Sequence, residues 1–437
     1  MRFHRRHALR LAAGGLGLRA LATGLPASFL LRPHQARAQA ATPPQFLVLA
    51  VSSRGDPLNA NAPGSFVEGV VNNPLAEMAP VDFELGPVRT RAARPWSTLG
   101  ADLRSRLGFM HLRTGVVTHP SMNEVLELRG AVTGESGNRG EMLPSMLAAE
   151  AAPLLETVLS EPIPLGAETL SARGLPLDSI SPPELKDLFS SAQPGLAQLA
   201  DLRDASLDAI YAEVRGSGTP AQRDFLDRFA LGRNQARQLG EELSALLERV
   251  VDTPLTPEAA ARDQLLAAVA LFRLNVTPVV TVNVPFGGDN HQDDSLEQEA
   301  DEHASGVGLI QTLFDELKAV DLQDRVTFAT LNVFGRTLQR NAAGGRDHNG
   351  DHHVLAAFGS RVRPGVFGGL QREGDRFVAG AIDPATGAMA PDGAIPADET
   401  LLAAGHTLMS WLNLPEETAA RRLAGGQGVA GMVVTAG

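Results

Sequence analysis

The chain has 437 residues, 43% hydrophobic and 20% charged, with a formal net charge of −12 and no cysteine. That apolar content suffices for a sizeable core, and the acidic balance argues against nucleic acid, whose phosphates need a basic face. Without cysteine there are no disulfides, no thiolate metal ligands and no cysteine nucleophile.

The first forty residues read as a separate object. They hold seven arginines (2, 5, 6, 10, 19, 32 and 37) and no acid. Arg5-Arg6 precedes a moderately apolar run from Leu11 to Leu31, then two small-x-small sites, Ala36-Arg37-Ala38 and Ala38-Gln39-Ala40. This is the order of a signal peptide, and the paired arginines look like a twin-arginine signal for the matching export machinery. A flexible basic N-terminus is the plainer alternative, and Ala8 stands where such signals usually carry Phe. Gly and Pro break the run too often for a lasting membrane span. Loss of residues 1–40, with seven positive charges and no negative one, takes the net charge from −12 to −19. The mature chain, 41–437, is expected to be soluble and periplasmic or secreted.

Phe46 to Val51 is the first predicted buried strand. It runs into Ser52-Ser53-Arg54-Gly55-Asp56-Pro57, where Asp56 is either a metal ligand or plain turn chemistry. Residues 60–104 are rich in Pro, Asn and Gly and read as loop with short pieces of structure. Leu107 to Leu112 is a second strand, followed by His119-Pro120-Ser121 and a helical pattern over 123–128. Ser121 has two readings there: a group near helix amides that favour an anion, or an ordinary N-cap. A helix is predicted over 142–160, and 165–177 carries little signal.

From 182 to about 270 the texture turns helical, with predicted helices over 182–189, 196–214 and 220–247 and a fourth starting at Thr256-Pro257-Glu258. This block reads as a helical insertion with solvated faces and no chemistry. Thr277 to Val284 is then a strand, 296–320 a helix, and Val326 to Val333 a strand. Strand, helix and strand make a βαβ unit with a right-handed crossover. Its two loops, 285–294 and 334–353, therefore fall at one sheet edge. That step brings Asp289 and His291 near Asp347 and His348. A short strand over 353–358, a turn over 364–369, a hairpin within 370–397, helices over 398–412 and 415–423, and a strand-like piece over 429–434 complete the chain.

Eight histidines lie beyond residue 40, and five of them fall between 291 and 353. With the aspartates of the same loops they suit Zn²⁺ or a similar divalent ion, while a carboxylate-rich shell would favour Mg²⁺, Mn²⁺ or Ca²⁺. A merely soluble polar loop is the alternative. Arg336 is either an anion clamp or the partner of a loop acid such as Asp347.

Several of these pieces resemble a known family: twin-arginine-exported bacterial proteins of uncharacterised function, related to the alkaline phosphatase and sulfatase superfamily. The resemblance rests on Gly55-Asp56 with Asn59, Asp289-Asn290-His291, and Phe334-Gly335-Arg336-Thr337. It continues through Asn341, Gly345-Arg346-Asp347-His348, and Gly365 with Gly368-Gly369. It implies an α/β domain of alkaline-phosphatase-like, doubly wound, mostly parallel type, with helices on both faces. It also implies one or two divalent ions and a phosphate or sulfate ester, small or polymeric, as substrate. Carried over, Asp56, Asp289, His291, Asp347 and His348 become metal ligands, Arg336 an anion contact, and Ser121 with His119 the nucleophile region. One departure stands out: the family usually has an acid just before FGRT, and this chain has Val333. That leaves open a single-ion site, or a non-catalytic exported protein using the same fold for binding or assembly.

Overall fold

A computed structural model of the chain describes residues 43–190 except 167, then 206, 209, 212, 213, 216, 247–251 and 254–434. The predicted signal and most of the predicted helices over 196–214 and 220–247 lie outside the described residues.

The architecture is α/β, built on a seven-stranded sheet. Its strands are β1 (Phe46–Ser52), β2 (Leu107–Leu112), β3 (Ile163–Pro164), β4 (Val279–Val282), β5 (Val326–Asn332), β6 (His353–Phe358) and β7 (Gly365–Phe367). Across the sheet they run in the order β7-β2-β6-β5-β1-β4-β3. Every residue of β1, β2, β4, β5 and β6 is buried. Burial on both faces is why these segments read as unbroken apolar runs, not as alternating ones.

β1 lies between β4 and β5 and is parallel to both, from Leu47 opposite Val279 on one side and Phe46 opposite Val326 on the other. β3 is parallel to β4, and β7 to β2. β6 alone in this sheet is reversed, antiparallel to β2 and to β5. The sheet is therefore mixed, with six strands in one direction. The reversal has a useful consequence. The C-terminal ends of β1, β2, β4 and β5 share an edge with the start of β6, so the loops 53–57, 113–121, 283–296 and 333–352 gather there.

Four longer helices support the sheet: α1 (Leu143–Leu155), α2 (Pro257–Arg273), α3 (Glu297–Ala319) and α4 (Thr400–Trp411). α2 starts where its capping residues dictate, with Thr256 Oγ1 accepting from Ala259 N at 3.1 Å and Pro257 in the first turn. α3 joins β4 to β5, and α2 packs along it. Two predicted ends differ. Gly365–Phe367, expected as turn, pairs with β2 as an edge strand. The expected strand near the C-terminus is a 3₁₀ turn, Ala430–Met432, closed by a single bridge from Val433 to Val362. Among the described residues no helix is long and apolar enough to cross a membrane.

Candidate metal centre

Two close approaches shape the polar edge. Gly55 has φ +64°, and a Cβ there would enter the ring of Phe334, so the β1 loop seats directly on the turn that follows β5. A Cβ at Gly345 would meet the backbone oxygens of Asn290 and His291. The loop after β4 and the loop after β5 are thus in backbone contact, and only glycine permits it.

Four side chains converge there: His119, Asp289, His291 and His348, with one ligand atom from each lying within 4.8 Å of the others. The far nitrogens of the three rings are tied down. His119 Nδ1 donates to Ser53 O at 2.7 Å and His348 Nδ1 to Val117 O at 2.6 Å. His291 Nδ1 stands 3.4 Å from Asp347 Oδ1. A carbonyl oxygen can only accept, so Nδ1 carries the proton in His119 and His348, and each Nε2 is left with a lone pair. The Nε2 atoms of His291 and His348 face each other at 2.7 Å. His119 Nε2 is 3.4 Å from Asp289 Oδ2, and His291 Nε2 is 3.8 Å from Asp289 Oδ1. With the His348 Nε2 lone pair facing it, His291 Nε2 either donates a proton to that lone pair or shares a cation with it.

Ligating histidines are usually held this way, with the outer N–H on a carbonyl or carboxylate. The cluster can hold a metal ion. Three imidazoles and one carboxylate suit a borderline divalent ion. Burial lowers the His348 pKa, and the charges of Arg336, His291 and His119 lower it further against the opposing bond to Val117. Burial pushes Asp289 upward, but Arg336, by charge and hydrogen bond, then His291 and His119, bring it below the usual value. Both shifts favour the ligating form, a neutral ring and an ionised carboxylate. The side chains of His119 and His291 are 35% exposed and that of Asp289 47%, so the cluster opens to solvent.

Behind it lies a buried layer of hydrogen-bonded charges. Arg336 is completely buried. Its Nη2 donates to Asp289 Oδ1 at 2.9 Å and to Arg54 O at 2.7 Å, its Nε to Gly55 O, and its Nη1 to Arg346 O at 3.4 Å. One layer further, Glu299 on α3 is buried against Arg346, with Nε to Oε2 at 2.7 Å and Nη2 to Oε1 at 3.2 Å. Asn61 and Asn290 also donate to Glu299, at 2.8 and 2.7 Å. This carboxylate ties the β1 loop, the β4 loop and the β5 loop to one helix.

The residues expected from sequence therefore separate. Asp289, His291 and His348 come together, and His119 joins them as a fourth ligand-type side chain. Asp347 adjoins His291 from the Nδ1 side and accepts from Asn341 at 3.0 Å. Asp56 is buried, its Oδ1 accepting the amides of Phe286 and Gly288 at 3.2 and 2.8 Å. Ser121 keeps its hydroxyl within its own segment, 2.9 Å from Thr118 Oγ1 and donating to Glu124 Oε1 at 2.7 Å, and it makes no N-cap bond. Sequence reading missed Glu299 altogether, because one acid among several at a helix start looks solvated.

Residues 220–384 match a family described as a protein of unknown function, DUF1501. The matched span includes Asp289, His291, Arg336, Asp347 and His348. Among curated proteins none matches the chain.

Proposed function

We propose that the chain is an exported, metal-dependent hydrolase of phosphate or sulfate esters on an alkaline-phosphatase-like fold. One observation carries the reading: three imidazoles, two of them hydrogen-bonded at Nδ1 and the third facing Asp347 there, gather beside Asp289 at a solvent-open sheet edge. Structural metal sites are closed, whereas catalytic ones keep room for a substrate. His119, Asp289, His291 and His348 would hold the ion. When bound, a divalent ion supplies Lewis-acid polarisation of the ester oxygen and a nucleophile from water at neutral pH. Arg336 fixes the carboxylate of Asp289 through its 2.9 Å bond, so it positions a ligand and does not clamp the substrate. With the Ser121 hydroxyl committed to Thr118 and Glu124, the attacking group in this reading is water. Six strands in one direction with the cluster at their C-terminal edge support the fold assignment. Residues 1–40 supply the twin-arginine signal, giving a periplasmic or secreted protein.

The second reading is a non-catalytic exported protein that uses the same fold for binding or assembly. Val333 favours it, being buried and apolar where the resemblance to the exported family implies an acid. Aryl phosphates and aryl sulfates offered to the protein loaded with Zn²⁺ or Mn²⁺ decide between them. Turnover that falls more than about 100-fold in Asp289→Ala is expected, since a ligand should matter at least as much as the groups behind it. No turnover with either ion removes the hydrolase.

A further inference from the structure

We infer that the site takes a single first-row transition ion, and that the Arg336 guanidinium stands as a fixed positive charge where a second ion would otherwise sit among the carboxylates. This rests on the reading of the cluster as a metal centre. The sequence spread five candidate ligands over one or two ions, and the structure sorts them into two groups. His291 and His348 surround one point together with His119 and Asp289. The three aspartates, Asp289, Asp56 and Asp347, all bear electrostatically on Arg336.

Arg336 cannot be displaced cheaply. It is fully buried, and four hydrogen bonds, to Asp289, Arg54, Gly55 and Arg346, use four of its five N–H groups. Asp56 is equally buried, and two backbone amides hold its Oδ1. Its other oxygen has no hydrogen-bond partner, and the Arg336 guanidinium acts on it only through its electrostatic field. Asp347 is spent on His291 Nδ1 and Asn341. Val333 brings no oxygen. Three carboxylates set against one guanidinium and one divalent ion leave no net charge, whereas a second divalent ion would leave two uncompensated positive charges. The ion's class follows from the donors. Imidazoles favour Zn²⁺, Co²⁺ or Ni²⁺, while Mg²⁺ and Ca²⁺ prefer oxygen.

The test is a count. Protein stripped with a chelator is titrated calorimetrically with Zn²⁺ and, separately, with Mg²⁺, and elemental analysis fixes the ions per chain. One Zn²⁺ per chain is expected, with Mg²⁺ weaker by about 1000-fold or more given the imidazole-rich shell. His119→Ala should weaken Zn²⁺ more than about 100-fold, since outer hydrogen-bond partners alone are worth 10–100-fold. Asp56→Asn keeps an acceptor for the two amides and should leave the count at one. Two ions per chain in the parent protein, Mg²⁺ bound as tightly as Zn²⁺, or a folded His119→Ala that binds Zn²⁺ unchanged overturns the inference. One ion without turnover keeps it and removes the hydrolase. Turnover with two ions does the reverse. A chain that binds neither metal overturns both.

Discussion

Asp347 sits 3.4 Å from His291 at the ring nitrogen that does not face the cluster, and Asn341 donates to the same carboxylate at 3.0 Å. Its contribution is to fix a tautomer and an orientation. Asp347→Asn keeps an acceptor but loses the charge, so Zn²⁺ affinity should fall by about 10–100-fold. His348→Ala removes a donor atom itself and should cost clearly more. Competition with a chromophoric chelator measures both, and equal losses would place Asp347 among the ligands. The same distinction marks what sequence could tell at this scale. Asp289, His291 and His348 are legible because polar residues crowd into loops just past strand ends. The ligand-type position of His119 is not, because it depends on Ser53 O and on a loop 170 or more residues away in sequence. Arg336 is ambiguous by nature: a guanidinium spent on backbone carbonyls and one offered to a substrate have the same letter.

Buried imidazoles gather where β6 begins, at His353 directly after His352. Both are buried, as is His111 on β2, which pairs with Val354. The donors run one way. Asn59 Nδ2 lies 3.0 Å from His352 Nδ1, His352 Nε2 lies 2.9 Å from His111 Nδ1, and His111 Nε2 lies 3.0 Å from Pro63 O. Asn59 Oδ1 also accepts the Arg336 amide at 2.9 Å, so this row of neutral rings braces the turn below the cluster. Burial lowers His111 to about 4 and His353 to about 3, and takes His352 well below its ordinary value. His303 on α3, between Trp96 and Phe286 and with neither nitrogen hydrogen-bonded, is likewise lowered by burial to about 3.

The sign follows. An unfolded histidine takes a proton near pH 6.5 and these folded ones do not, so their stability is complete above about 6.5 and is lost as pH falls towards 4 and then 3. The slope is up to about 1.4 kcal/mol per pH unit for each ring. The denaturation midpoint of the metal-free protein should drop between pH 7 and pH 5. His303→Leu, which removes a proton acceptor from an apolar site, should drop less. A variant that loses as much as the parent over that interval would contradict the argument.

Across the whole molecule, β1, β2, β4, β5 and β6 were readable because a strand buried on both faces must be apolar throughout, whereas the short edge strands β3 and β7 were not. β2 and β6 begin and end where the sequence put them. The direction of β6 was not readable, since pairing direction leaves no mark on composition. Nor were the short pairs Pro80–Leu85 with Val88–Ala93 and Leu170–Ala172 with Leu175–Leu177, whose brief, half-exposed strands leave no long apolar run. What the molecule achieves as a unit is convergence: loops that follow β1, β2, β4 and β5 deliver three imidazoles, a carboxylate and their supports to one edge. X-ray absorption of the Zn²⁺-loaded protein examines that convergence at the ion itself. About three imidazole nitrogens at roughly 2.0–2.1 Å, with oxygen completing the shell, are predicted. A shell of oxygen alone, or one unchanged in His291→Ala, would contradict it.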